Sequence, residues 1–416
     1  MIKSHTLPTV ASTGGLEPFL KRVAIRNYKS IGTCSVDLGT LTVLVGRNGS
    51  GKSNFLDALR LVADGLQTSL DHAIESRGGI DAVRRRSTGH PRNFAIQLEM
   101  TLKNWNTATY GFEIGSLPEG GFSVKWERLK IAAPNNRPIA HYDVHQGQVK
   151  EASSASMPPA AKDRLYLVNA AGLPDFREVY DGLLAMGFYN VNPDAMKGLQ
   201  SPDTQELLHH DGGNIASVLR RLTKDQPEIT ERITQYLSTI VPGIEVSCVP
   251  LGPRIMLEFR QSVEGAEHPW KFYAASMSDG TLRALGTLVA VTQLAKRKEP
   301  VRLVGIEEPE TALHPAAAGA LMDALREASI RTQVVVTTHS PDLVDQVDPE
   351  KDRLLAVQVT QGTTAIGLVD GASRDAIKRH LYSPGELLRM DQLQIDPVDL
   401  ERQEQMNLFG SVEDVT

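Results

Sequence analysis

Apolar and polar positions along the chain follow two periods, and the changes of period mark its elements. Phe19 to Ile25 mixes apolar and polar side chains as a half-buried strand does, and Asn27-Tyr28-Lys29-Ser30 reads as the turn after it. Leu41 to Val45 is a denser apolar strand running into glycine, and Asn54 to Gln67 then carries Phe55, Leu56, Leu59, Leu61 and Val62 at helical spacing. Phe94 to Met100, Thr109 to Ile114 and Gly120 to Leu129 read as strands, which predicts an antiparallel sheet added to one side of the core. Residues 130 to 163, polar and rich in Pro, Ala and Ser, are expected to be the part most variable in conformation. Helical spacing dominates from Phe176 to Ile240, most clearly over Ile215 to Leu222 and Ile229 to Ile240. Strands return at Val246 to Val249 and Arg254 to Phe259. A helix over Thr281 to Leu294, a strand over Val301 to Ile306, a helix over Thr311 to Glu327 and a strand over Gln333 to Thr337 follow. That alternation predicts a mostly parallel sheet covered by helices. Strands at Leu354 to Val359 and Thr364 to Val369 and a helix over Ser373 to His380 complete the pattern.

Composition narrows the class. The 416 residues exceed the usual domain of roughly 100 to 200 residues, so one large domain with an insertion or two joined lobes is expected. Basic residues number 44 against 50 acidic, a net charge of -6, which gives no global signature for nucleic acid and leaves only local patches open. Cys34 and Cys248 are too few and too isolated for a disulfide framework or a four-cysteine zinc site, consistent with a reducing interior. No stretch approaches the roughly 18 consecutive apolar residues that span a bilayer, and the start lacks the pattern of a signal peptide. A cytoplasmic protein without a membrane partner is the expectation.

Three polar constellations follow buried strands. Gly46-Arg47-Asn48-Gly49-Ser50-Gly51-Lys52-Ser53 fills every position of the phosphate-loop pattern between a strand and a helix. Its glycines allow a tight turn with amide hydrogens aimed at phosphate oxygens, while the helix presents its positive end. Lys52 is expected to neutralise the terminal phosphates and Ser53 to place its hydroxyl on Mg2+. The second is Leu303-Val304-Gly305-Ile306-Glu307-Glu308-Pro309, where an apolar strand delivers two carboxylates at its C-terminal end. Glu307 is suited to hold the magnesium through water, and Glu308 to orient and deprotonate an attacking water. The third is Val334-Val335-Val336-Thr337-Thr338-His339-Ser340, whose His339 is placed to donate to a terminal phosphate or to support the water.

Together these residues resemble the ABC-type ATPase superfamily, in particular the SMC and RecF branch and the small AAA ATPases related to the heads of overcoming-lysogenization-defect nucleases. The resemblance implies an α/β fold: a P-loop NTPase of the ABC-ATPase head type with an added antiparallel sheet and an inserted helical lobe. Lys29 and its surroundings look like the family's early strand-turn beside the nucleotide, Gly46 to Asn54 like its Walker A, Glu307 to Pro309 like its Walker B, and His339 like its switch histidine. Ser278-Asp279-Gly280-Thr281 is similar to the signature loop that contacts nucleotide across a dimer, although Asp279 departs from the common serine-glycine-glycine form. His314 stands where many members carry an aspartate, and Gln97 is the candidate for the family's Q-loop glutamine. The implied organisation is a flexible lead over residues 1–17, the N-terminal part of the head over 18–175, an inserted helical lobe over 176–240, the C-terminal part of the head over 241–375 and a tail over 376–416. Within that tail, Ser383-Pro384-Gly385-Glu386-Leu387 resembles a segment expected to dock back on the head.

The resemblance implies ATP and Mg2+ as ligands and a homodimer or higher homo-oligomer closing over two nucleotides. Three functions compete: an ATPase switch controlling a protein effector, as in bacterial defence; an ATPase that clamps DNA; and an ATP-binding scaffold with little turnover. Arg84, Arg85, Arg86 and Arg92, with the Arg220-Arg221 pair, are the candidate basic contacts for DNA or a partner, against a reading as ordinary solvated surface. A self-contained nuclease is disfavoured, because Asp391, Asp396 and Asp399 sit in a polar, proline-interrupted setting that reads as surface tail.

Overall fold

In the computed structural model, which describes residues 17–87, 91–204, 207–293 and 301–405, the apolar runs become strands. These are β1 (Leu20–Tyr28), β2 (Ile31–Asp37), β3 (Leu41–Val45), β4 (Asn93–Thr101), β5 (Thr107–Ser116), β6 (Phe122–Ala132), β7 (Pro138–His145) and β8 (Gln148–Ala152). They continue with β9 (Met186–Tyr189), β10 (Ile244–Leu251), β11 (Arg254–Gln261), β12 (Trp270–Tyr273), β13 (Leu303–Glu307), β14 (Gln333–Thr338), β15 (Arg353–Thr360) and β16 (Thr363–Leu368). All but the last residue of the expected N-terminal lead, Leu294, and residues 406–416 of the expected tail lie outside the described residues.

Thirteen of these strands form one sheet in the order β8-β7-β6-β5-β4-β1-β2-β16-β15-β3-β14-β13-β9, and β10-β11-β12 form a second. The expectation of a mostly parallel sheet is corrected. Parallel pairing holds from β9 through β13, β14 and β3 to β15, and in one short contact of β16 with β2, whereas β1, β2 and β4 to β8 pair antiparallel. The physical reason lies in the connections. Short turns between β4 and β8 permit only hairpins, while the parallel strands are separated by helices that carry the chain back. Residues 130–163 contain two strands: Ala140, Tyr142 and Val144 alternate inward along β7, and β8 pairs with it.

Side-chain alternation puts the two faces of the parallel strands into separate cores. Leu44, Leu303 and Val335 face the helix Lys52–Gln67 and the antiparallel strands, whereas Val43, Val304, Ile306, Val334 and Val336 face the helices Ile215–Asp225, Pro227–Ile240, Asp279–Thr292 and Ala318–Ser329. The stretch 176–240 is not all helical. The helix Pro174–Leu184 packs on the helix Lys52–Gln67, and the four-residue β9, too short to show a period, joins the sheet edge beside β13. The helix expected to start at Thr311 starts at Ala318, after a short turn Pro315–Ala317 in which His314 Nδ1 accepts from the Ala316 amide.

At the C-terminal end, the helix Pro384–Arg389 is held to the segment after His339. The Gly385 amide donates to Asp345 Oδ1 at 2.6 Å, and Arg389 reaches Asp342 at 2.9 Å. Asp399, read as surface, is buried and accepts from the Leu368 amide at 2.9 Å. The alternation of hydrophobic and polar positions could not show this, because the contact joins a polar helix to a strand through one carboxylate.

Candidate functional site

β3 delivers the chain into the loop 46–51, and the helix Lys52–Gln67 carries it away. Gly49 and Gly51 adopt φ of 77° and 100°, left-handed conformations that side-chain-bearing residues rarely take. No acidic residue stands in the first helical turn and no side chain caps it, so the positive helix end stays open to an anion. The Gly46 amide donates to the Thr338 carbonyl at 3.4 Å, which ties the start of the loop to the end of β14. Lys52 is 4% exposed and donates to the Gly46 and Arg47 carbonyls at 2.8 and 3.0 Å. Burial pulls its ammonium below the usual lysine range, and Glu308 and Glu310 oppose that shift.

β13 and β14 end beside this loop and bring the other polar residues to it. Glu308 Oε1 lies 3.8 Å from Lys52 Nζ and 3.2 Å from His339 Nδ1. Glu308 has φ 42°, an uncommon conformation for a residue with a side chain, and its amide donates to the Thr337 carbonyl at 2.9 Å. This turn breaks strand alternation and separates the two carboxylates. Glu307 goes to the Ser53 hydroxyl on the phosphate-loop helix, while Glu308 goes to Lys52 and His339. Burial raises the pKa of Glu307 and the Ser53 hydrogen bond opposes it. The pair supplies two adjacent hard oxygen donors, a donor set that suits magnesium. A third carboxylate, Glu310, is buried, accepts from Thr338 Oγ1 and the His339 amide, and keeps its second oxygen without a partner.

Other sequence-derived candidates sit differently. Lys29 is turned to Asp57 of the phosphate-loop helix at 2.5 Å, where Arg77 and the Tyr28 hydroxyl also converge at 2.9 and 2.7 Å. Its charge therefore fixes the helix. Asn54 likewise spends its side-chain amide on Ser30 Oγ at 2.6 Å. Gln97 lies on β4, five strand spacings from β3 and so roughly 24 Å away at about 4.8 Å each. Ser278 caps the helix Asp279–Thr292 through the Thr281 amide at 3.2 Å, and an added Cβ on Gly280 would stand 2.2 Å from the Ala312 carbonyl oxygen. Asp279 is paired with Lys197 at 2.8 Å. The arginines do not form one free basic face: Arg84 pairs with Asp81 at 2.7 Å, Arg85 hydrogen-bonds to Thr363, and Arg86 donates to the Asp81 carbonyl at 3.1 Å. Arg92 is exposed.

The model of the family described as "AAA domain, putative AbiEii toxin, Type IV TA system" matches residues 41–345, from β3 through the phosphate loop, both carboxylates and His339 to the helix beyond. The chain belongs to this family. No curated protein matches this chain. Among solved structures, its fold is similar to an Smc head bound to the C-winged helix domain of ScpA, at 15% identity and TM-score 0.53 over 84% of this chain and 97% of that one. It is also similar to an Smc head with an extended coiled coil bound to the C-terminal domain of ScpA, derived from Pyrococcus furiosus, at 13% identity and TM-score 0.53 over 88% and 99%. At these identities the likeness concerns the fold, a mixed α/β head with an antiparallel sub-sheet and helical insertions.

Two residues near the AAA site escaped the sequence reading. Glu310 carried a faint signal, being the third carboxylate of the Glu307-Glu308-Pro309-Glu310 run. Asn190 carried none: Tyr189 pairs with Ile306, so Asn190 stands one register step on, beside Glu307, although the two residues are 117 positions apart in the sequence. Among the described residues no helix is long and apolar enough to cross a membrane, and no group of three His, Cys, Asp or Glu residues could hold a metal ion.

Proposed function

We propose that this AAA domain binds and hydrolyses ATP as a molecular switch that closes as a dimer and controls a protein effector. The observation that carries the reading is that Glu308, just after β13, lies 3.8 Å from Lys52, at the head of the helix after β3, and 3.2 Å from His339, just after β14. Lys52 and the open helix end are suited to hold the triphosphate, and Ser53 with Glu307 to hold a magnesium ion, which would neutralise charge on the terminal phosphates. Glu308 is suited to take a proton from an attacking water, and His339, 3.2 Å from it, to orient it. The Ser278 to Thr281 loop heads a helix whose N-terminus is suited to meet the terminal phosphate of nucleotide bound by a second copy. Closure would then depend on an intact triphosphate, and hydrolysis would reverse it.

The effector role draws on the family description, which points to toxin–antitoxin systems and so to defence, and on the two Smc heads, each bound to a ScpA domain. For the direct DNA clamp, Arg84, Arg85 and Arg86 are engaged within the chain, while Arg92 is exposed. Phosphate release from magnesium-ATP, measured for the wild type and Glu308→Gln, tests the reading. Turnover by the wild type that collapses in the variant is the expected result; equal turnover in both removes Glu308 from the chemistry.

A further inference from the structure

Arg85 and the turn at Lys29-Ser30 belong to one device behind the phosphate loop. Thr364 on β16 is fully buried, 314 positions from Ser50, and its hydroxyl donates to the Ser50 carbonyl at 2.8 Å. A threonine hydroxyl has one proton. Its second contact, Ser30 Oγ at 2.7 Å, must therefore be accepted, which makes Ser30 the donor. Ser30 Oγ in turn accepts from Asn54 Nδ2 at 2.6 Å, so the direction of every bond is set: Asn54 amide to Ser30, Ser30 to Thr364, Thr364 to the Ser50 carbonyl.

The relay joins the first turn of the phosphate-loop helix, the β1–β2 turn, β16 and the loop itself. Gly51 shows how closely they meet, since a Cβ there would lie 2.2 Å from Thr364 Oγ1 and 2.8 Å from Ser30 Oγ. In a trans peptide the N–H points opposite to the C=O, so anchoring the Ser50 carbonyl on β16 turns the Gly51 N–H away from β16. A hydrogen bond accepted by the carbonyl also polarises the peptide and strengthens its N–H as a donor. The outer side is held as well: the Thr364 amide donates to the Ser30 carbonyl at 2.8 Å, Arg85 hydrogen-bonds to Thr363, and the Arg85 amide donates to the Asn27 carbonyl at 2.8 Å.

We infer that Thr364 is a positioning residue of the nucleotide site, its hydroxyl fixing the Ser50–Gly51 peptide so that the Gly51 N–H is presented to the phosphates. Arg85 supports that strand from behind. The inference rests on the ATP-binding reading above.

Calorimetric titration with magnesium-ATP tests it on the wild type, Thr364→Val, Thr364→Ser and Ser30→Ala, with melting temperatures recorded without nucleotide. Thr364→Val should weaken binding about ten- to a hundredfold, the loss that follows from leaving one buried carbonyl unsatisfied. Thr364→Ser keeps the hydroxyl and should stay within about threefold of wild type by the same reasoning. Ser30→Ala removes the relay's donor to Thr364 while every residue of β16 stays in place, so its weakened binding at an unchanged melting temperature supports the proposal even where Thr364→Val folds poorly. Thr364→Val binding as tightly as wild type overturns it, as does Thr364→Ser binding as weakly as Thr364→Val, which would mean the methyl group packs and the hydroxyl is idle. A wild type that binds no ATP sinks the underlying reading instead, and that outcome is read before any variant.

Discussion

Glu308 stands where a proton acceptor and a phosphate-binding lysine can share one bound ligand, and its left-handed backbone is the local cost, on the order of 1 to 3 kcal/mol for such conformations. Replacing it with glutamine keeps the shape and removes the proposed base. Turnover is expected to drop about a hundred- to ten-thousandfold while magnesium-ATP affinity changes little, measured by phosphate release and calorimetry on one preparation. Lys52→Ala acts on the other half of the site. It deletes the buried ammonium that the loop carbonyls hold, and calorimetry should show ATP affinity severely reduced; unchanged affinity would place the phosphates elsewhere. The three neighbouring arginines separate at this scale as well. Arg84→Gln and Arg86→Gln should leave turnover near wild type, whereas Arg85→Gln loosens Thr363 and should raise KM for ATP more than it lowers kcat.

Among the elements, the antiparallel strands are stitched to the following helix by one carboxylate. Glu127 on β6 is fully buried and accepts from the Tyr142 and Tyr110 hydroxyls at 2.8 and 3.2 Å, the Leu167 amide at 2.8 Å, and the Tyr166 amide. Burial pushes its pKa up to about 7, against the four hydrogen bonds that pull it down. A folded-state pKa above the unfolded value means that the folded chain binds the extra proton. The resulting stabilisation is complete below about pH 4.3, the ordinary glutamate value, and is lost as pH rises through about 7. Denaturation midpoints of wild type and Glu127→Gln, compared between pH 5 and pH 8, should show the wild type losing ground steadily as pH rises. A gap that stays constant across that range would mean that Glu127 does not titrate there.

For the whole molecule, the proposed site is complete only when two chains meet, because Lys52 and Ser278 would serve the same nucleotide from opposite sides. Glu308→Gln with ATP should therefore accumulate a larger species by light scattering coupled to size-exclusion chromatography, absent with ADP. Mixing is the sharper measurement. Lys52→Ala and Ser278→Arg should each be inactive alone, yet an equal mixture should recover about one quarter of wild-type turnover, since half the dimers are mixed and each holds one intact site. No recovery, from variants that still associate, would show that each chain works on its own nucleotide.

The local sequence determined the strand-loop-helix at residues 41–67, the apolar strands ending at Glu307 and Thr338, and the polar residues each one delivers, because period and turn chemistry act over a few neighbouring residues. It also made Lys52, Glu308 and His339 legible as one group, since residues at the C-terminal ends of parallel strands must share an edge of the sheet. Tertiary structure alone decided where the other polar side chains go. Lys29 turns to Asp57, Asn54 to Ser30, Asp279 to Lys197 and Arg85 to Thr363, pairings fixed by which elements the sheet order brings side by side. Thr364 is the extreme case. Nothing in its neighbourhood along the chain distinguishes it from any strand threonine, and only the hydrogen bond across 314 positions, set by β16 lying against the phosphate loop, gives it a role.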